Sequence, residues 1–332
     1  MKRLIFIISL CFSVQGEAAV IEGKVTHGSR DLLPPVQVEL IKLANGMEVV
    51  ATTSAAQKGD FSFKEVEGGA VPFLVRVNYQ GVSYQEMIQL EGEKGTVDLR
   101  IYDVTAKWPD ITLPMLNILV RPAGDLLQVE KTYYLQNQSL QTYLDPNGTF
   151  QFYVSGKRKS NPQVAASRGK MPIPLTPSPT SKEGIYAVSY PIRPGVTEIT
   201  VTYDLDYSAQ EFFWKELTLY DIDRVNLAVV PPDLGFSSDL FEKVEGGGDG
   251  HAGFTLYTVA SVAKDHWLAA TFKGMGSQPA NAGRNLQPVP PQIFHYKWLL
   301  LGLMGLFLLA IGYFGWRQKT LEKTLSKLGK ST

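Results

Sequence analysis

The feature that most constrains this chain is the run Trp298–Trp316, WLLLGLMGLFLLAIGYFGW, which contains no charged residue. A transmembrane helix needs about 20 consecutive apolar residues to cross the hydrocarbon core of a bilayer, and this run meets that requirement. A buried core helix of the same composition needs protein on every face, whereas only a short tail follows this run. The sequence therefore predicts a transmembrane helix over residues 297–316.

The residues on either side of this run indicate its orientation. Aromatic side chains gather at both edges of a transmembrane helix, and cytoplasmic flanks carry an excess of Lys and Arg. Residues 317–332 contain Glu322 as the only acid, so we expect this basic tail to lie in the cytoplasm. The edge aromatics are Tyr296, Trp298, Tyr313 and Trp316, and the cations of the tail are Arg317, Lys319, Lys323, Lys327 and Lys330.

The other end of the chain, residues 1–18, has the three parts of a secretory signal peptide. Met1–Arg3 is positively charged, an apolar stretch too short to span a membrane follows, and Gly16–Ala18 is a small-x-small cleavage site. A lipoprotein signal at Cys11 is the alternative, but Leu10 occupies the preceding position, where a small residue is required. We therefore expect the body of the protein to lie outside the cytoplasm, in the periplasm or at the cell surface.

The composition limits what can stabilise this body. Cys11 is the only cysteine, so a mature protein without the signal peptide has neither a disulfide nor a thiolate metal site. Hydrophobic cores must then hold the body together, which is feasible if it divides into domains of about 100 residues. The formal net charge is zero and the pI is near 6.9, which disfavours a nucleic-acid partner.

Between the two ends, short runs of alternating β-branched and aromatic residues are bounded by Gly, Pro, Asn and Asp, with almost no helical periodicity. This pattern predicts an all-β fold of tandem β-sandwich domains, followed by the one transmembrane helix. Residues 19–105 contain seven such runs, which is the number a sandwich requires. The runs are 20–26, 36–43, 48–53, 60–65, 73–79, 82–90 and 96–102.

Four segments of this first domain follow one another in a distinctive order. Ile21–Val25 has the pattern of an opening strand and Pro35–Leu40 that of a second strand. Gly59–Phe63 forms a Gly-x-Phe-x-Phe hairpin strand, and the apolar strand Phe73–Tyr79 follows it. This order resembles the carboxypeptidase regulatory-like, or transthyretin-like (prealbumin-like), β-sandwich domain. The resemblance covers about a quarter of the chain and implies a folding and accessory module, since catalysis in that family belongs to a separate neighbouring domain.

The rest of the body is predicted as a second β-sandwich over residues 106–210 and a small third β region over 211–273. The third region is either a separate domain or a continuation of the second. A basic, proline-rich loop, 157–182, interrupts the second sandwich and either contacts an anionic polymer or lipid head groups or is simply a solvated insertion. A linker, 274–296, rich in Gly, Pro, Asn and Gln, connects the body to the helix. The strand runs are 116–120, 126–136, 148–154, 185–190 and 198–207, then 212–220, 224–230, 253–262 and 267–272.

Candidate sites in the body are few. No catalytic motif and no cofactor-binding motif is recognisable, so we expect a non-enzymatic protein without a cofactor. Two Asp-x-Asp pairs can each present two carboxylates on one strand face, which suits Ca²⁺; the alternative is a solvated strand edge protected by acids. These weak calcium candidates are Asp204, Asp206, Asp221 and Asp223.

The predicted helix has a face of small residues that lets another helix approach closely. It packs against a partner protein or a second copy, unless the helix is a plain anchor. The residues are Gly302, Gly305, Gly312 and Gly315.

We therefore expect a single-pass, membrane-anchored binding or assembly protein of the cell envelope. Its partners are the lipid bilayer and an envelope protein, not nucleic acid. The alternative is an accessory subunit of a membrane enzyme or transport complex, which docks through its sandwiches and the glycine face.

Overall fold

The computed structural model describes residues 18–44, 46–67, 71–90, 92–169, 172–245 and 253–276. These residues form strands and turns without any helix, which confirms the all-β prediction for this part of the chain, and they belong to one compact unit. Accordingly, no helix long and apolar enough to cross a membrane occurs among them. The predicted transmembrane helix 297–316 and tail 317–332 lie outside the described residues, as do nearly all of the signal peptide and most of the linker.

The seven runs predicted for the first domain are all present as strands, and their bounds differ from the prediction by two residues or fewer. An eighth short strand follows them. The strands are β1 (Ala18–His27), β2 (Gln37–Lys42), β3 (Glu48–Ser54), β4 (Asp60–Glu67), β5 (Phe73–Tyr79), β6 (Val82–Ile88), β7 (Lys94–Ile101) and β8 (Asp103–Thr105).

The first seven strands form two sheets that share one core, with strand orders β4-β1-β7 and β3-β2-β5-β6. Period-2 alternation places Phe61 and Phe63 of β4 on the same inner face, with ring centroids 5.9 Å apart. Gly23 of β1 lies against this pair, and a Cβ there would be 1.9 Å from the carbonyl oxygen of Val97. Only glycine therefore allows β4 and β7 to flank β1 this closely.

The second domain is larger than the first. Its main sheet has the order β14-β13-β17-β10-β9-β19-β22-β21, and two three-stranded sheets, β12-β16-β15 and β18-β23-β20, pack against its inner face. The strands are β9 (Ile111–Ala123), β10 (Leu126–Asn137), β11 (Gln141–Tyr143), β12 (Phe150–Tyr153), β13 (Gln163–Ser167), β14 (Ile173–Leu175), β15 (Ser178–Pro179), β16 (Ile185–Val188), β17 (Gly195–Asp206), β18 (Glu211–Leu217), β19 (Ile222–Val229), β20 (Gly235–Ser237), β21 (Glu242–Lys243), β22 (Thr255–Val262) and β23 (Trp267–Lys273).

The strands of residues 211–273 do not form a separate domain. β19 pairs in parallel with β9 inside the main sheet, and β22 pairs with β19. One core of buried side chains extends from Ile111 to Phe272. These strands therefore complete the sheet that residues 106–210 begin.

The segment 157–182, predicted as an exposed loop, contains three short strands. β13 pairs with β17 and extends the main sheet, burying Val164 and Ala166. β14 and β15 are edge strands, and they contain Pro174 and Pro179. Proline cannot donate a ladder hydrogen bond but is tolerated at a sheet edge, so the proline content of the segment is compatible with these strands.

Polar contacts join the two domains. β8 pairs in parallel with β11, which links the end of the first domain to the second. The Tyr84 hydroxyl donates to the carbonyl of Tyr102 at 3.0 Å and lies 2.8 Å from the Thr142 hydroxyl. Arg193 donates to the carbonyl of Ser83, and its guanidinium carbon lies 4.8 Å from the centroid of the Tyr84 ring. The first domain is therefore docked on the second as well as connected to it through the chain.

Candidate functional site

A cleft opens in the second domain where the end of β12, the turn between β15 and β16 and the start of β23 meet. Its volume is about 820 Å³. Small-molecule sites commonly have volumes of roughly 300–1,000 Å³, so the cleft is large enough to hold a ligand. Three cationic and three aromatic side chains line it: Lys157, Arg158, Lys182, Tyr153, Tyr186 and Trp267.

Two of the cations follow β12 on a segment that β17 holds in place. The amide of Asp206 donates to the carbonyl of Lys157 at 2.9 Å, and Arg158 forms an isolated antiparallel bridge with Leu205. The next residue, Lys159, forms an ion pair with Asp206 at 3.4 Å. The backbone that carries Lys157 and Arg158 is therefore anchored to an inner strand of the main sheet, although both side chains are exposed.

The cations of the cleft have no charge partner within the part of the chain that the structure describes. None of Lys157, Arg158 and Lys182 forms an ion pair with a carboxylate there. Glu183 is the one acid in the lining, so three cations and one carboxylate give the cleft a net charge of +2. The guanidinium carbon of Arg158 lies 5.1 Å from the centroid of the Tyr186 ring, a cation–π contact that orients the side chain.

The third cation lies in a turn of defined shape. The Thr180 hydroxyl donates to the carbonyl of Ile185 at 3.1 Å, and the amide of Lys182 donates to the Thr180 hydroxyl at 3.2 Å. The amide of Thr180 also donates to the Ile185 carbonyl, at 2.9 Å. These local side-chain-to-backbone hydrogen bonds fix the turn that presents Lys182 and Glu183 at the rim of the cleft.

The aromatic wall consists of Tyr153, from the end of β12, and Trp267, from the start of β23. Their ring centroids are 5.2 Å apart in an edge-to-face arrangement, and Trp267 remains 46% exposed. Gly184 adopts a positive φ of 75°, and a Cβ there would lie 2.6 Å from Cε2 of Tyr153. Glycine at this position therefore allows both the turn conformation and the close approach of the Tyr153 ring.

A buried ion pair lies behind this wall. Lys131 of β10 and Glu216 of β18 are 2.8 Å apart, with side-chain exposures of 0% and 1%. The Lys131 ammonium also donates to the carbonyl of Tyr153, and the Tyr133 hydroxyl donates to Oε1 of Glu216 at 3.1 Å. The pair thus connects the main sheet to both smaller sheets and holds the residue whose ring lines the cleft.

Burial of Lys131 and Glu216 disfavours the charged forms of both side chains. Burial raises the pKa of Glu216 and lowers the pKa of Lys131, while the attraction between the two groups opposes both shifts. The ammonium lies 5.3 Å from the centroid of the Tyr203 ring, which gives it further electrostatic support. Oε2 of Glu216 is buried without a hydrogen-bond partner among the described residues. Its charge therefore depends on the contacts made by Oε1, above all the one to Lys131.

No sequence motif marks Lys131 or Glu216, although both lie in predicted strands. The signal that identifies them is their register. Lys131 alternates with outward-facing residues in β10 and Glu216 does so in β18, so each occupies an inward position. A charged residue in the buried register of a strand is rare and indicates a paired or functional group. Their buried neighbours in the same register are Leu127, Val129, Tyr133, Leu135, Phe212 and Trp214.

The two Asp-x-Asp pairs lie far apart in the main sheet. Asp204 and Asp206 are on β17, whereas Asp221 comes directly before β19 and Asp223 is its second residue. β10 and β9 lie between these two strands. Through the strand pairing, Asp206 aligns with Ala123 at the end of β9, whereas the start of β19 pairs with Leu113, near the beginning of β9. Ten residues of strand correspond to roughly 30 Å, so the two pairs do not converge on one ion.

The individual acids have other partners. Asp206 accepts from the amide of Ser208 at 3.2 Å as well as pairing with Lys159, and Asp221 accepts from the amide of Lys264 at 2.8 Å. β17 is an inner strand, so its acids lie on a sheet face rather than at an edge. Across the described ranges, no group of three or more His, Cys, Asp or Glu is arranged to hold a metal.

The predicted helix-packing residues Gly302, Gly305, Gly312 and Gly315 lie outside the described residues. No protein-family model matches the chain, and no curated protein matches it.

Proposed function

We propose that this protein is a single-pass, membrane-anchored binding protein of the cell envelope, with its β-domains outside the cytoplasm and its C-terminus inside. Support for this location comes from the sequence: the signal-like residues 1–18, the apolar run 298–316 and the basic tail 317–332. The protein has no catalytic step in this proposal and needs no cofactor. The first domain, with its carboxypeptidase regulatory-like order of strands, acts as a docked folding and accessory module.

The observation that supports a binding role is the cleft. It combines three cations without carboxylate partners and a half-exposed Trp267 on a β scaffold that packing and hydrogen bonds hold in place. Convergent polar groups next to apolar surface in a concave site are the usual elements of a ligand site. Because hydrogen bonds already hold the backbone that carries the cations, a ligand does not have to order these segments when it binds.

A second candidate function, that of an accessory subunit in a membrane complex, has its own supporting observation. β3 is the edge strand of the four-stranded sheet, and Met47, Val49 and Val50 at its start are 69%, 47% and 43% exposed. An exposed apolar strand edge can pair with another chain unless something protects it. In this alternative the edge docks on a partner protein, and the predicted glycine face packs against the partner's helices.

Cysteine labelling tests the proposed location. Single cysteines at Lys182 and Ser331, in a Cys11→Ser background, report the cleft and the C-terminal tail. A membrane-impermeant maleimide applied to spheroplasts should modify Lys182→Cys and leave Ser331→Cys unmodified, and both should react after detergent lysis. Labelling of Ser331→Cys but not of Lys182→Cys before lysis would refute the proposed topology.

A photo-crosslinker at Val50 distinguishes the two candidate functions. Attachment to one integral membrane protein in stoichiometric amount, and no such product from the exposed control position Lys64, would favour the accessory subunit. Absence of that product would count against docking through this strand edge.

A further inference from the structure

We propose that the cleft binds an acidic polysaccharide, with a sugar ring packed on Trp267 and the carboxylate or phosphate of the chain bound by the cations that line the same cleft. This inference rests on the proposed function, since it names the ligand of the same site. Three observations carry it: the state of the cations, the exposed aromatic wall and the way the two are combined.

The cations are arranged to bind an anion. The guanidinium of Arg158 is held over the Tyr186 ring, 5.1 Å from its centroid, and its N–H donors make no hydrogen bond within the described part of the chain. An oriented guanidinium can bind a carboxylate or phosphate through two parallel hydrogen bonds. Lys157, after β12, and Lys182, in the turn between β15 and β16, also line the cleft and add charge without fixed geometry.

The aromatic wall adds a requirement beyond charge. Trp267 is 46% exposed and packs edge-to-face with the Tyr153 ring, whose centroid lies 5.2 Å from its own. A supported indole face offers a flat apolar surface with a negative electrostatic potential, on which the C–H groups of a pyranose ring can pack. A bare inorganic anion does not use this surface. A sugar that carries an acidic group can use the indole and the cations of the cleft at once.

The same features disfavour a lipid surface. The aliphatic residues that line the cleft, Val154 and Ile185, are 1% and 5% exposed, so they are not available to enter a bilayer. Amphipathic membrane-surface elements bury a whole face of apolar groups beside their cations, whereas Trp267 is the one exposed large apolar side chain among the described residues that line this cleft. A concave site with one exposed indole suits a polymer chain that enters it.

The test measures binding of the full-length protein in detergent micelles to four immobilised probes. Oligogalacturonate has sugar rings and carboxylates, teichoic-acid-type polyglycerol phosphate bearing sugars has rings and phosphates, dextran oligomers have rings without charge, and polyphosphate has charge without rings. Oligogalacturonate, the polyglycerol phosphate that bears sugars, or both should bind. The probe that binds more tightly identifies the acidic group, carboxylate or phosphate. Dextran oligomers and polyphosphate should bind at least about tenfold more weakly, because each lacks one half of the recognition.

Variants locate the binding in the cleft. Arg158→Gln and Trp267→Leu should each weaken binding of the tighter acidic probe by about tenfold or more. Lys64→Gln and Phe213→Leu are the matched controls, since Lys64 is exposed in the first domain and Phe213 is 58% exposed outside the cleft. Unchanged thermal unfolding of the variants shows that the loss is local. Lys182→Gln removes a second cation of the cleft at the tip of the turn, where the change has little effect on the fold. It should also weaken binding of the tighter acidic probe.

Several results would overturn the inference. Equal binding of polyphosphate would reduce the cleft to a general anion site, and equal binding of dextran oligomers would remove the role of the cations. Binding to phosphatidylglycerol vesicles, with none to either acidic glycan, would identify a lipid surface instead. If no probe binds while Lys182→Cys is labelled from outside, the ligand class is wrong and the proposed location stands. If labelling shows the body in the cytoplasm, the proposed function itself fails.

Discussion

Replacing Lys131 with Met should destabilise the second domain and make its stability depend on pH. The change removes an ammonium that lies 2.8 Å from Glu216 and also donates to the carbonyl of Tyr153, while an apolar side chain fills much of the space. Removal of one member of a buried ion pair typically costs about 3–5 kcal/mol, because the remaining charge loses its partner. Glu216 is 1% exposed, so water cannot replace the lost contact.

The dependence on pH follows from the pKa of Glu216. Burial already raises the pKa of Glu216 above its usual value of 4.5, and without Lys131 the opposing attraction disappears, so the pKa rises further. A raised pKa in the folded state means that the contribution to stability is fully present below the unfolded-state value and is lost as pH rises through the folded-state value. The wild type loses this contribution above its own raised pKa of Glu216, so the added loss in Lys131→Met lies between that pKa and the still higher pKa of the variant. Within that interval, the free energy of unfolding should fall, relative to the wild type, by up to about 1.4 kcal/mol per pH unit.

Urea unfolding followed by tryptophan fluorescence at pH 5, 6, 7 and 8 measures this effect. Trp214 is fully buried beside Glu216 in β18, and the first domain contains no tryptophan. Replacing Trp298 and Trp316 of the predicted helix with Phe in every variant confines the signal to the second domain. The control is Lys131→Met combined with Glu216→Leu, which should recover most of the stability and lose the added pH dependence. Identical pH dependence in the single and double variants would refute the assignment of the proton to Glu216.

Three further predictions address the other parts of the chain. Phe63→Ala should lower the free energy of unfolding of the first domain by about 3–5 kcal/mol in urea, since the side chain is 3% exposed in the core; a loss below 1 kcal/mol would contradict that packing. Gly184→Ala should displace the Tyr153 ring, because its Cβ would lie 2.6 Å from Cε2, and should weaken acidic-glycan binding more than it weakens stability; unchanged binding would argue against that wall. Replacing Gly305 and Gly312 together with Leu should abolish a crosslinked homodimer or co-purification with a partner while leaving membrane insertion intact; unchanged association would reduce the helix to a plain anchor.

The strands were the most predictable part of the structure because their signal is local. Alternation with a period of two is readable within each run, and the Gly-x-Phe-x-Phe pattern at residues 59–63 correctly places Phe61 and Phe63 inside. The grouping of strands was less predictable. Residues 211–273 have the same local pattern whether or not they form their own domain, and only the pairing of β19 with β9 distinguishes the two cases.

The segment 157–182 shows why composition misleads at a sheet edge. Its prolines and cations are typical of a loop, and they are equally compatible with edge strands that expose one side to solvent. The sequence alone does not predict the buried ion pair of Lys131 and Glu216 for a related reason, since a lysine in a strand is ordinarily exposed to solvent. Only the register of Lys131 and Glu216, seen against their buried neighbours, distinguishes them from the other charged residues.

By itself, the sequence determines the all-β character of the body and the absence of disulfides from it, and it predicts the anchor and its orientation. These properties depend on composition and on short periodic patterns, which the chain carries locally. The cleft is decided by tertiary structure alone, because Lys157, Lys182 and Trp267 belong to segments up to 110 positions apart that meet through strand pairing and sheet packing. No local pattern encodes such a meeting, since long-range pairing depends on the stability of the whole core.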